Sequence, residues 1–156
     1  MMDCAVVAPT VLDEVLALLA SSGEDAVPVA GGIWVTLTLR HGLIRPRLLV
    51  HLRRVPELGR MAVEPTGDLV IGASVTHRAV ERSPLVRSHS PVLAETLAEV
   101  ANVRVREQAT LVGNLCEADP ASDPPTVLAA LGASVELLSR RGRRLVPVAD
   151  FVLGAY

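Results

Sequence analysis

No lysine occurs in this chain; all 15 of its basic residues are arginine. A GC-rich coding bias accounts for that preference more simply than a need for guanidinium chemistry. The 17 acidic residues leave a net charge of −2, which excludes a general affinity for nucleic acid. Aromatic residues are almost missing. Trp34, Phe151 and Tyr156 are the whole set, so few side chains can stack on a planar ligand. The two cysteines, Cys4 and Cys116, build no disulfide framework and show no zinc-like spacing. Asp3 and Asp13 interrupt any signal-peptide core. No apolar run approaches the ~20 residues that span a bilayer. These absences lead us to expect a soluble cytoplasmic protein with no membrane or nucleic-acid partner.

What is present is enough for a core. The chain has 156 residues, 50% of them hydrophobic, which suits one domain or two small lobes. A domain of this size buries roughly 70% of its unfolded surface and needs no metal or disulfide staple.

The first third reads as alternating helix and strand. Pro9 and Thr10 open a helix, with Thr10 as its cap and Asp13 completing a variant capping box. Val11, Leu12, Val15, Leu16, Leu18 and Leu19 form its apolar face, and Gly23 ends it. Ala26 to Ala30 reads as a buried strand. Gly31 and Gly32 turn the chain into a helix from Trp34 to Arg40, and Arg47 to Leu52 is a second strand. This order predicts a small parallel sheet.

The pattern changes near Pro56. Arg60 to Val63 and Leu69 to Ile71 flank a Pro65-Thr66-Gly67-Asp68 turn and predict a hairpin. Helices are expected from Thr76 to Arg82, from Ser90-Pro91 to about Val100, and from Ser122 to Leu131, capped by Ser122 or Asp123. Ser134 to Leu138 and Arg144 to Val148 flank a second hairpin turn. The expected fold class is therefore α+β, with an N-terminal αβ lobe over 1–55 and a second, antiparallel-rich lobe with helices over 56–156.

Two stretches suit a phosphate-bearing ligand. The first is Val29-Ala30-Gly31-Gly32-Ile33-Trp34. Glycines after a strand let backbone amides approach an anion, and the following helix adds its positive end. Taken alone, the need for glycine in a tight turn explains this stretch better. It has no Gly-x-Gly-x-x-Gly spacing. The second is Thr110-Leu111-Val112-Gly113-Asn114, followed by Cys116-Glu117-Ala118-Asp119-Pro120-Ala121-Ser122-Asp123. Here a hydroxyl, a glycine and an amide lie close together. Asp123 is placed to accept from sugar hydroxyls. The bland alternative is a loop whose Asp119, Ser122 and Asp123 bond nearby amides. For Ser122 the capping role is preferred; for Gly113 and Asn114, the ligand.

Other polar groups carry less. His41, His51, His77 and His89 have no metal spacing and read as surface or half-buried. Asp119 and Asp123 are separated by Pro120 and make a poor acid–base pair. No catalytic residue and no metal ligand is expected. Arg140, Arg141, Arg143 and Arg144 read as a solvated hairpin tip, and Cys116 as a small buried thiol.

Val29-Ala30-Gly31-Gly32, then Val105 to Asn114, then Ala118 to Asp123 and the closing Val148 to Tyr156, together resemble the FAD-binding medium subunit of molybdenum hydroxylases. These are the carbon monoxide dehydrogenase and xanthine dehydrogenase-like enzymes. The resemblance runs in order along nearly the whole chain. It implies a two-lobed FAD domain of the vanillyl-alcohol oxidase type. It also implies that Val29, Ala30, Gly31, Gly32, Ile33 and Trp34 hold the FAD diphosphate together with Thr110, Leu111, Val112, Gly113 and Asn114. Asp123 would lie at the sugar. Backbone amides would neutralise the diphosphate without lysines.

The implied partners are an iron–sulfur small subunit that donates electrons and a molybdopterin large subunit. The implied role is passing electrons through FAD to an acceptor. Family members continue into a C-terminal domain; this chain is expected to lack it, so that another chain would supply it. Trp34 stands where the family has a polar residue, and Ala109 and Val112 stand where it has glycines. Those departures leave two alternatives, a stand-alone small flavoenzyme and a degenerate scaffold that has lost FAD.

Overall fold

The computed structural model describes residues 4–154. Asp3, and Ala155 and Tyr156 at the end of the closing stretch, lie outside the described residues.

The first third builds a three-stranded parallel sheet in the order β1-β3-β2, from β1 (Ala5–Val7), β2 (Ala26–Val29) and β3 (Leu48–His51). Register pairs Val7 with Val50 and Val29 with His51. Helix α1 (Leu12–Ser22) connects β1 to β2, and α2 (Ile33–Arg40) connects β2 to β3. The three-residue β1 is too short for a periodic signal and was not foreseen. Pro28 is tolerated because β2 is an edge strand. Helix α1 turns Val15 onto Val50 and Val55, with Leu12, Leu18 and Leu19 packed around them. Gly23 closes it at φ 53 and donates its N–H to Leu19. The expected Thr10 cap does not form. The helix starts one residue later, its N-cap is Val11, and Asp13 and Glu14 favour its first turn by charge alone.

From Met61 onward the chain is mixed helix and strand. β4 (Met61–Val63) and β5 (Leu69–Ile71) form the first expected hairpin. β6 (Ser134–Ser139) and β7 (Gly142–Pro147) form the second. They are separate two-stranded sheets rather than one. Between them run α3 (His77–Arg82), α4 (Pro84–His89), α5 (Pro91–Glu99), α6 (Val103–Arg106), α7 (Leu111–Glu117) and α8 (Asp123–Ala130); α9 (Val148–Phe151) follows β7. Leu97, Val80 and Val86 are fully buried, with Leu93, Leu111, Leu115, Leu128 and Val148 beside them. Full burial of one such side chain contributes about 1.5–3 kcal/mol.

The largest difference from expectation is α7. Residues 110–114 read as a loop, yet they start a helix. Thr110 is its N-cap and accepts from the Gly113 N–H at 3.1 Å. Leu111 and Leu115, one turn apart, face the core and override the low helix propensity of Gly113 and Asn114. No helix among the described residues is long and apolar enough to cross a membrane.

Candidate functional site

The first glycine turn sits at the carboxyl ends of β2 and β3, the edge of a parallel sheet where ligands collect. Gly32 is the N-cap of α2 in the left-handed region (φ 78), which glycine adopts without steric cost. It has no side chain to bond the first-turn amides. Among the described α-helices, α2 is the one whose first turn has no side-chain cap, no acid and no proline. Its positive end is therefore unsatisfied by the chain itself. Ile33 and Trp34 are half-buried there. Thr38 is quiet: its hydroxyl bonds back to Trp34 O and Val35 O.

The second stretch is held by its neighbours on α3. Thr76 and Thr110 form an antiparallel bridge. The His77 N–H donates to Ala109 O at 2.8 Å, and the Leu111 N–H to Val75 O at 3.3 Å. A charged clamp fixes α6 just upstream. Glu81 pairs with Arg78 at 2.7 Å and with Arg106 at 3.2 Å, and Arg78 also reaches Glu107 at 3.5 Å. The other arm of Arg106 donates to Val100 O and Ala101 O.

Gly113 has an internal reason to be glycine. A Cβ there would lie 2.7 Å from the Thr110 hydroxyl that caps the helix. Ser122 stands at the N-cap position of α8 as expected, but its hydroxyl donates to Asn114 at 2.9 Å and makes no capping bond to the first-turn amides. Asp119 instead makes an Asx turn, accepting from Ala121 N. Ala118, in the left-handed region, ends α7. Asp123 is exposed in the first turn of α8. Burial first, and Asp119 second, raise the Glu117 carboxyl above its ordinary range.

The structure brings the two stretches together. Gly31 lies on the backbone of Gln108 and Ala109, directly ahead of Thr110. A Cβ on Gly31 would overlap the Gln108 carbonyl oxygen and lie 3.0 Å from Ala109 Cα. Val29 to Trp34 and Thr110 to Asn114 thus flank one seam. Asp123 joins less directly, next to Ser122 and its bond to Asn114.

Two expectations about individual side chains need correction. His77 is neither surface nor half-buried; it is 2% exposed and neither ring nitrogen is hydrogen-bonded. Burial lowers its pKa; the Thr110 backbone opposes this, and Arg106 adds to it. The burial follows from α3, which inserts His77 and Val80 together. Cys116 is exposed, because Leu111 and Leu115 take the inward face of α7. Partial desolvation nonetheless raises its thiol.

The donors suit FAD: a dinucleotide diphosphate needs amides and positive helix ends, and α2 supplies both without a competing side chain. The family described as the FAD binding domain in molybdopterin dehydrogenase matches residues 2–156. The chain belongs to that family. It is 37% identical over 148 residues to caffeine dehydrogenase subunit beta of Pseudomonas sp. strain CBB1, covering 94% of this chain and 50% of that one. It is 36% identical over 148 residues to the carbon monoxide dehydrogenase medium chain of Afipia carboxidovorans, covering 95% and 51%. Quinoline 2-oxidoreductase from Pseudomonas putida 86 superposes with a TM-score of 0.94 at 38% identity, covering 98% of this chain and 53% of that one. The chain spans about half the length of the relatives it matches. An FAD-binding domain of the oxidoreductase class is therefore the shared element.

Residue-by-residue reading missed Gln108, Thr76 and His77 as supports of the seam. They are tied to the seam through backbone groups, by the Thr76–Thr110 bridge, the His77 N–H bond to Ala109 O and the Gly31–Gln108 contact, and such pairing leaves no local pattern.

Proposed function

We propose that this chain carries FAD in a molybdenum hydroxylase-type oxidoreductase, relaying electrons from an iron–sulfur subunit to an acceptor. The observation that carries this is the seam. An uncapped α2 start and the Thr110–Asn114 turn of α7 are locked side by side by Gly31 and Gln108.

In this reading the amides after Gly32, with Val29, Ala30, Gly31, Ile33 and Trp34 shaping the turn, hold one side of the diphosphate. Thr110, Leu111, Val112, Gly113 and Asn114 shape the other, and Asp123 accepts from sugar hydroxyls. Bound FAD supplies the chemistry of exchanging electrons between one-electron and two-electron carriers. The chain's residues bind it and orient it. The division into lobes at 1–55 and 56–156, of the vanillyl-alcohol oxidase type, belongs to the same reading. So do the cytoplasmic setting and the partners, an iron–sulfur subunit and a molybdopterin subunit. The names "medium chain" and "subunit beta" borne by relatives favour a multi-subunit assembly.

The test is an absorbance spectrum of the purified chain before and after FAD is added and unbound flavin removed. Retained flavin bands support the reading. A chain that stays colourless at every FAD concentration overturns it.

A further inference from the structure

Arg53 follows β3 on the turn at the carboxyl end of the sheet. Its backbone is well fixed. The Leu52 N–H donates to Val29 O at 2.8 Å, the Arg53 N–H donates to His51 Nδ1 at 3.3 Å, and the Val55 N–H donates to Leu52 O at 3.1 Å. Val55, two residues on, is buried in the first core. From this base the exposed Arg53 side chain crosses to the other half of the site. Its Nη2 donates to Gln108 O at 3.4 Å, the same carbonyl oxygen that abuts Gly31.

Charge makes the contact informative. In a chain without lysine, a cation for an anionic ligand must be an arginine. Arg78 and Arg106, which flank the second stretch, are engaged by Glu81 and Glu107. Among the described residues no carboxylate lies within ion-pair distance of Arg53. The bond to Gln108 uses one nitrogen, leaving the remaining donors of the guanidinium fork for a phosphate.

We propose that Arg53 is a further binding residue of this site, its guanidinium neutralising the FAD diphosphate where the Gly31 turn meets Gln108. The proposal rests on the reading of the site as an FAD cradle. Backbone amides supply geometry on both sides of the seam, and Arg53 supplies the full positive charge that they lack.

The test uses the full chain and three proteins: wild type, Arg53→Gln and Arg53→Lys. FAD affinity is measured by flavin fluorescence at low and high salt. Arg53→Gln is expected to weaken FAD about tenfold at low salt and far less at high salt, since an exposed charge is screened. Arg53→Lys is expected to recover most of the affinity at low salt. Equal affinity of wild type and Arg53→Gln at low salt overturns the proposal. So does a loss that is the same at all salt concentrations, which marks a packing effect. A wild-type chain that takes up no FAD overturns the underlying reading instead, and this proposal with it.

Discussion

Gly31 and Gln108 meet backbone to backbone, with no side chain between them. Gly31→Ala places a methyl group against the Gln108 carbonyl and Ala109 Cα, neither of which is a flexible chain end. The expected cost is about 2 kcal/mol, or about 4–8 °C in Tm for a chain of this size. Gly31→Ala should also lose FAD retention. A thermal melt and a flavin spectrum of the same sample check both. An unchanged Tm would show that the seam yields.

Thr110 is 2% exposed, and its hydroxyl caps α7 through Gly113. Thr110→Ala should cost about 1–2 kcal/mol, and Thr110→Ser should cost much less because the acceptor stays. Urea unfolding of the two variants separates loss of the cap from loss of the methyl group.

Glu81 holds both Arg78 and Arg106, and its side chain is largely buried. Glu81→Gln removes the carboxylate partner of Arg106 and leaves Arg78 with Glu107 alone. The expected loss is about 2–3 kcal/mol. A urea midpoint within error of wild type would show that the clamp is dispensable.

His77 ties stability to pH. Its folded pKa lies below the ordinary 6.5, chiefly through burial. Well above that value the ring is neutral in both states. As pH falls through it, the unfolded chain takes up a proton that the folded chain refuses, so stability drops. Glu117, with its raised carboxyl, works in the opposite direction, so the comparison must be with a variant. The fall in urea midpoint between pH 7.5 and 5.5 should be smaller in His77→Gln than in wild type. Equal falls would place the titration elsewhere.

Trp34 is the only tryptophan in the chain, and it stands in the first turn of α2. FAD bound across the seam should quench its emission in a saturable way. Quenching that rises linearly with FAD, without saturation, would place the flavin in solution.

Much of the fold could be read from periodicity and punctuation. Gly23, the Thr66-Gly67-Asp68 turn and Ser90-Pro91 mark ends that the structure keeps. The misses share a cause. β1, α4, α6 and α9 span six residues or fewer, too short for a period to emerge, and tertiary pairing sustains them. Residues 110–114 carry loop-forming types, yet Leu111 and Leu115 anchor them as a helix. The candidate site was legible as two separate stretches. Their contact through Gly31 and Gln108 was not, because backbone touching backbone leaves no mark in side-chain identity.

The same contact sets a lower limit on how finely this fold can be divided. A cut near Gly59, between the two hydrophobic clusters, leaves each half with a cluster of its own yet separates the glycine turn from its buttress. Recombination between relatives should therefore succeed when both stretches travel as one cassette. When they come from different parents, the junction must be matched at those two positions.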